Sequence, residues 1–221
     1  MSIPVFITAR CGSTRLPRKH FLDMGGISVI NHIIRRCEHF GFAPLVCVPD
    51  RDYKEFKDHI YIHNVYTGDD ENVKKRILRI AELTGIYKFH HLDGDDPWFD
   101  PSIISNSFDV VADHICLHAP SISRAGAALC GTTYNLKGKL PEESIENEMP
   151  WNIKHPWPQR LTLDYPEDLH LITAVNRMVG GYMAPRWAVD ELFIRNPDLH
   201  KINWFRNAEW KERQNAEKSG H

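Results

Sequence analysis

Four short apolar runs alternating with segments of helical periodicity constrain the fold of this chain more than any other feature. Ile3–Ala9, Pro44–Val48, Tyr61–Tyr66 and Ile86–Leu92 each have the length and residue content of a buried strand. Between them, Val29, Ile30, Ile33, Ile34 and Cys37 recur at helical spacing behind Gly25-Gly26, and residues 52–59 suit a short helix. Val73, Ile77, Ile80 and Ala81 mark a buried stripe on a further helix, which Asp70 can cap. The β-α-β-α-β-α-β order predicts an α/β fold: a Rossmann-like, open, twisted, mostly parallel sheet with helices on both faces, whose ligands lie beyond the strand C-termini. Regularity returns with Arg160–Leu163, read as a strand, and with a helix after Pro166 that carries Glu167 and Asp168 in its first turn. The stretch 118–150 lacks clear periodicity and reads as an excursion from the sheet. With 221 residues in total, a single domain over 1–221 is expected.

Composition removes several function classes. A net charge of −2 excludes a generally basic nucleic-acid binder, so no nucleic-acid partner is expected. No run of 18 apolar residues exists, and the first strand begins within three residues of Met1, leaving no room for a signal peptide. A cytoplasmic protein without membrane contact is the expectation. Cys11, Cys37, Cys47, Cys116 and Cys130 form no C-x-x-C pair and read as reduced thiols. Thirteen histidines include no H-E-x-x-H helix, which argues against a zinc site. The charge is unevenly spread, however. Residues 1–36 carry six cations, Arg10, Arg15, Arg18, Lys19, Arg35 and Arg36, against Asp23 alone. A local anion site is therefore a candidate.

Two polar segments fall at predicted strand ends. Arg10-Cys-Gly-Ser-Thr-Arg-Leu-Pro-Arg-Lys19 follows the first strand, where Gly12 and Ser13 could present backbone N–H groups and the cations could hold phosphate oxygens. Neither G-x-x-x-x-G-K-[ST] nor G-x-G-x-x-G is present, which weakens ATPase and dinucleotide readings. Asp93, Asp95 and Asp96 cluster after the fourth strand, and Asp164 ends the strand read at Arg160–Leu163. Crowded carboxylates repel unless a cation joins them, and hard oxygen donors beside phosphate suit Mg²⁺. Each segment also has a plain structural reading: a solvated basic loop, a turn before Pro97, and Asp164 as a helix cap. Jointly they favour a nucleoside-triphosphate and magnesium site.

The stretch Thr8-Ala-Arg-Cys-Gly-Ser-Thr-Arg-Leu-Pro-Arg-Lys19 resembles the A-R-x-x-S-T-R-L-P-x-K loop of the cytidylyltransferases that activate sugars for bacterial surface polysaccharides, including CMP-Kdo synthetases. Within that group the chain is most similar to the spore-coat polysaccharide SpsF type. Gly68-Asp-Asp-Glu-Asn-Val-Lys-Lys-Arg76 resembles its G-x-x-x-x-V-x-x-R helix start, and Gly94-Asp-Asp-Pro-Trp-Phe-Asp-Pro101 its G-D-C-P-L-I-D-P. Arg160-Leu-Thr-Leu-Asp-Tyr-Pro-Glu-Asp-Leu169 resembles R-L-T-V-D-T-P-E-D-L, and Asn196-Pro-Asp-Leu199 with Ile202-Asn203 resembles the C-terminal tail.

The resemblance implies a fold of the nucleotide-diphospho-sugar transferase type and transfer of CMP from CTP to a sugar or sugar-acid-like acceptor, with release of pyrophosphate. It implies that Arg10, Arg15 and Lys19, with the amides of Gly12 and Ser13, hold the triphosphate. Ala9 and Asp93 join this nucleotide-binding set. Arg15, Lys19 and Asp95 are the residues it places at the chemistry, and Asp95 and Asp164 the ligands of Mg²⁺. Such chemistry requires no side-chain nucleophile, so Cys11 reads as a bystander. By position, 118–150 corresponds to the segment that serves acceptor binding and dimer packing in the related sugar-acid enzymes. A homodimer is thus implied, with Arg124, Lys137 and Lys139 as cations for an acidic acceptor or members of an exposed loop.

One departure concerns Asp93-Gly-Asp-Asp-Pro97, where CMP-Kdo synthetases resemble Q-G-D-E-P and SpsF-like proteins T-G-D-C-P. The extra carboxylate of Asp93 adds a metal ligand, repels an anionic acceptor, or selects a hydroxyl-rich or cationic one. Trp151, Trp157, Trp187, Trp204 and Trp210 are assigned no place in the site. Alternative functions are a nucleotidyltransferase that uses another NTP or a phosphorylated or phosphonate acceptor, and a non-catalytic nucleotide-binding or assembly protein.

Overall fold

The computed structural model describes residues 2–61, 64–108, 114–118, 131–135, 145–148 and 159–219. Seven strands form one sheet: β1 (Ile3–Thr8), β2 (Phe42–Pro49), β3 (Val65–Gly68), β4 (Lys88–Asp93), β5 (His114–His118), β6 (Gly131–Asn135) and β7 (Ile145–Glu148). Their order is β3-β2-β1-β4-β6-β5-β7, and only β6 runs against the rest. The helices are α1 (Val29–His39), α2 (Tyr53–His59), α3 (Val73–Thr84), α4 (Pro101–Phe108), α5 (Pro166–Val179), α6 (Arg186–Arg195) and α7 (Arg206–Ser219).

Strand alternation sorts the core into two layers. Val5 and Ile7 of β1 pack with Val46 and Val48 of β2 and with Val29, Ile30, Ile33, Ile34 and Cys37 of α1. Phe6 points the other way and joins Leu45, Cys47, Phe89 and the Ile77, Ile80 and Ala81 stripe of α3. Phe6 and Phe89 stack across the β1–β4 pair with ring centroids 4.0 Å apart. The α1 layer continues through Leu171, Ile172 and Val175 of α5 to Val189 and Phe193 of α6, so the C-terminal helices share the core of the first strands.

The expected α/β architecture is thus present, with differences in detail. The third strand is Val65–Gly68 instead of Tyr61–Tyr66, because pairing with β2 starts at Asn64, whose carbonyl accepts from Val46 N–H at 2.8 Å. Tyr61 covers α1 from outside, its hydroxyl donating to Glu38 beneath the Arg35 guanidinium. Asn72, not Asp70, caps α3, accepting Lys75 N–H at 3.0 Å; Asp70 instead accepts Arg51 N–H. Arg160–Leu163 is no strand: Leu163 N–H donates to Asp95 O at 2.9 Å, and the stretch joins no ladder among the described residues. Within 118–150, residues 131–135 and 145–148 belong to the sheet, so these parts are not an excursion. Arg124, Lys137, Lys139, Trp151 and Trp157 lie outside the described residues.

Candidate active site

β1 and β4 are adjacent at the sheet centre, and the chain leaves β1 toward β2 and β3 on one side while β4 begins the other half. A crevice opens at such a switch point, beyond the strand C-termini. Gly94 closes it tightly: its N–H donates to Thr8 O at 2.8 Å, and an added Cβ would lie 2.8 Å from that oxygen. A cleft of about 600 Å³ occupies this place. Ala9, Arg10, Gly12, Ser13, Arg15, Lys19, Asp93, Asp95 and Asp164 all line it, so the residues that the resemblance assigns to nucleotide, metal and chemistry meet there.

The basic loop is built rather than merely solvated. Cys11 N–H donates to Asp52 Oδ2 at 2.9 Å, and His20 ties the loop to the end of β4. His20 Nδ1 lies 2.8 Å from Gly94 O while its Nε2 faces Arg10 N–H at 3.3 Å, which makes Nδ1 the donor and Nε2 the acceptor. Burial, with Lys19 beside it, lowers the His20 pKa to about 4 and keeps the ring neutral. Arg18 sits at φ 56°, a conformation costly for a residue with a side chain. The turn sends Arg18 outward to Glu55 and Lys19 inward. Ser13 N–H donates to Cys11 O at 2.9 Å, so that amide closes the loop on itself, and Ser13 Oγ accepts from Leu16 N–H.

Lys19 joins the two acidic segments. Its ammonium donates to Asp95 Oδ2, to Asp164 Oδ1 at 3.1 Å and to Leu163 O at 2.9 Å, and Arg15 reaches the same Asp164 Oδ1 at 2.7 Å. Burial works against the charge on Lys19, but Asp95 and Asp164 outweigh it and the ammonium is held above its usual range. Asp95 is likewise depressed: burial favours its neutral form, and Lys19 overrides it. Asp96, expected as a further member of the cluster, is 1% exposed behind the cleft, and burial next to Asp95 and Asp93 pushes it well above the usual carboxylate range.

Asp164 is aimed by a buried scaffold that sequence reasoning only touched. Asp168, in the first turn of α5, accepts Asp164 N–H and Tyr165 N–H at 2.9 Å each, so Asp168 and not Asp164 satisfies the helix start. Asp168 also accepts from Arg160 at 3.0 and 3.2 Å, and Arg160 reaches Asp164 Oδ2 at 3.4 Å. Asp93 stands apart from Lys19: Thr8 Oγ1 donates to it at 3.2 Å, and His91 Nε2 lies 3.6 Å away.

The donor set fits a hard divalent cation. Carboxylate oxygens of Asp95 and Asp164 converge on one ammonium, and no three His, Cys, Asp or Glu among the described residues gather as a complete cage. Two protein carboxylates, with the remaining positions left to phosphate and water, is the arrangement Mg²⁺ favours. Cys11 lacks nucleophile character: burial, then Asp52 and Glu55, pushes its thiol up to about 11. Thr8, His20, Arg76, Thr162, Trp210 and Arg213 also line the cleft without having been assigned to it from sequence. Arg76 stood in a quoted motif; Trp210 and Arg213 left no local signal, because α7 reaches the cleft only through the tertiary fold.

A parallel sheet with this order and a polar cleft at its switch point defines an α/β protein of the nucleotide-sugar transferase fold. A family model described as "Cytidylyltransferase" matches residues 5–115. The chain belongs to the cytidylyltransferase family. It is 35% identical over 121 residues to 3-deoxy-manno-octulosonate cytidylyltransferase of Acidithiobacillus ferrooxidans, covering 52% of this chain and 47% of the relative. The chain thus spans about half the length of that relative. It is 27% identical to the spore coat polysaccharide biosynthesis protein SpsF of Bacillus subtilis, covering 87% of this chain and 94% of SpsF. Among solved structures, a cytidylyltransferase from Leptospira borgpetersenii superposes with a TM-score of 0.71 at 19% identity, over 90% of this chain and 96% of that one. CMP:2-keto-3-deoxy-manno-octonic acid synthetase complexed with CTP superposes with a TM-score of 0.57 at 16% identity, over 79% and 98%. Both share the fold. No described helix is long and apolar enough to cross a membrane.

Proposed function

We propose that the chain transfers CMP from CTP to a sugar or sugar-acid acceptor and releases pyrophosphate, with Mg²⁺ as the metal. The observation that carries this reading is the meeting of Arg15 and Lys19 with Asp95 and Asp164 at the ends of β1 and β4. The loop Ala9–Lys19 binds the triphosphate through Arg10, Arg15 and Lys19 and the Gly12 amide. When CTP arrives, Lys19 and Arg15 exchange carboxylate for phosphate partners, which frees Asp95 and Asp164. These two carboxylates would hold the metal, and the chemistry supplied there would be neutralisation of phosphate charge and polarisation of the α-phosphoryl group. An acceptor hydroxyl oxygen forms a bond to the α-phosphorus, the α–β bridging P–O bond breaks, and the hydroxyl proton passes to solvent. Arg15 and Lys19 stabilise the departing pyrophosphate.

The relatives' names support CTP as donor and a sugar acid as acceptor, and a fold neighbour is a complex with manganese. The same reading takes 1–221 as one cytoplasmic domain and 118–150 as the acceptor and dimer segment of a homodimer, which light scattering at micromolar concentration would test. Thermal shift against CTP, UTP, GTP and ATP tests the donor. Stabilisation by CTP above the others is expected; equal response to all four, or none, contradicts the reading.

A further inference from the structure

The basic loop and the acidic strand ends leave one wall of the cleft without a role, the one supplied by α7. Trp210 and Arg213 of this helix line the same cavity as Asp164 and Arg15. Their placement is anchored. Arg206 donates to Glu167 of α5 at 3.2 and 2.9 Å, and Asn203, just before α7, donates to Asp168 at 2.9 Å and to Arg160 O at 2.8 Å. The Tyr165 ring, where the family pattern resembles Thr, receives Arg206 from α7, Arg15 from the loop and Arg160, each within 5.5 Å of its centroid. Arg160 in turn lies 5.5 Å from the Trp210 centroid. Arg206, Trp210 and Arg213 are spaced i, i+4 and i+7, so one helical face is turned to the site.

Resting on the reading above and its sugar-acid acceptor, we propose that Trp210 and Arg213 complete the acceptor subsite, the indole beneath the sugar ring and the Arg213 guanidinium on the carboxylate. The indole gives an apolar face for a sugar ring. Arg213 is half exposed in the cleft, and its guanidinium uses one Nη on Glu209 at 3.0 Å, leaving donors for a planar carboxylate. Asp93 and Asp164 share this cavity, so a dianionic phosphate on the acceptor meets more repulsion than a single carboxylate does.

The test is calorimetry on the full chain with Mg²⁺ and α,β-methylene-CTP, followed by titration of the loaded protein with 3-deoxy-manno-octulosonate, its methyl ester, and a sugar phosphate. The carboxylate should bind best. Arg213→Ala should weaken it by about tenfold or more while α,β-methylene-CTP binds as in the wild type, and Arg213→Lys should restore part of the loss. Trp210→Phe should keep binding and Trp210→Leu weaken it, with unchanged thermal midpoints showing that the fold is intact. Equal binding of the ester, preference for the phosphate, no binding of the carboxylate, or an Arg213→Ala defect shared equally by the CTP analogue each overturns the inference. Failure of the wild type to bind the CTP analogue overturns the donor reading instead, and this inference with it.

Discussion

Asp95 and Asp164 converge on the Lys19 ammonium from segments far apart in sequence, and the charge balance there makes a sharp mutational forecast. Asp95→Asn or Asp164→Asn should lower metal-dependent turnover by roughly a hundredfold or more while the circular-dichroism spectrum stays unchanged. Near-normal turnover in both variants would remove the metal assignment. Cys11→Ala should change the rate by less than about twofold, because a thiol pushed up to about 11 supplies almost no thiolate at neutral pH; a large loss would reinstate a covalent role. Legibility in the sequence tracked chemistry at this scale. Arg10, Arg15, Lys19, Asp95 and Asp164 announce themselves by type and place, and all reach the cleft. His20 and Asp168 do not, because their work is hydrogen bonding to backbone amides and carbonyls, which only the folded chain presents.

Elements rather than side chains set the width of the cleft. Gly94→Ala would place a Cβ 2.8 Å from Thr8 O and 3.0 Å from Ala9 Cβ, where backbone cannot give way. A loss of about 1–3 kcal/mol in urea unfolding is expected, with weaker CTP binding; wild-type stability would show that β4 and the loop are not in tight register. Asp168→Ala is a severer change, since it leaves the fully buried Arg160 without its bidentate partner and two N–H groups at the start of α5 unmet. A cost of about 3–5 kcal/mol follows. Periodicity located β1, α1, β2 and α3 well, because each buries a regular face, and Pro166 with the acidic first turn located α5. It failed at Tyr61, an aromatic that covers a helix from outside, and at Arg160–Leu163, a stretch that is buried without joining the sheet. It also failed at 131–135 and 145–148, where β6 is set between β5 and the distant β4 and β7 pairs with β5 across the intervening β6 segment of the chain.

For the whole molecule, the charge split between residues 1–36 and the remainder reads differently once folded. Arg18 pairs outward with Glu55, and Arg36 is buried among the carbonyls of Phe99, Tyr182 and Ala184, so the surplus is part site and part scaffold. Buried neutral histidines give the fold an acid limit. Burial lowers His20 to about 4 and His32 and His90 to about 3, against about 6.5 when unfolded. The unfolded chain therefore binds more protons as pH falls below about 6.5, and stability that is whole above that value declines toward pH 4. Urea midpoints should fall from pH 7 to pH 5; a flat profile would mean these rings are not buried neutral. The central claim, that one cleft unites a triphosphate loop with a metal-binding carboxylate pair for cytidylyl transfer, is tested most directly by pyrophosphate release. Each of the four NTPs would be supplied with and without Mg²⁺ and with a panel of sugar acids. Release from CTP alone, dependent on both metal and acceptor, is the expected result; release without CTP preference, or none with any acceptor, would contradict it.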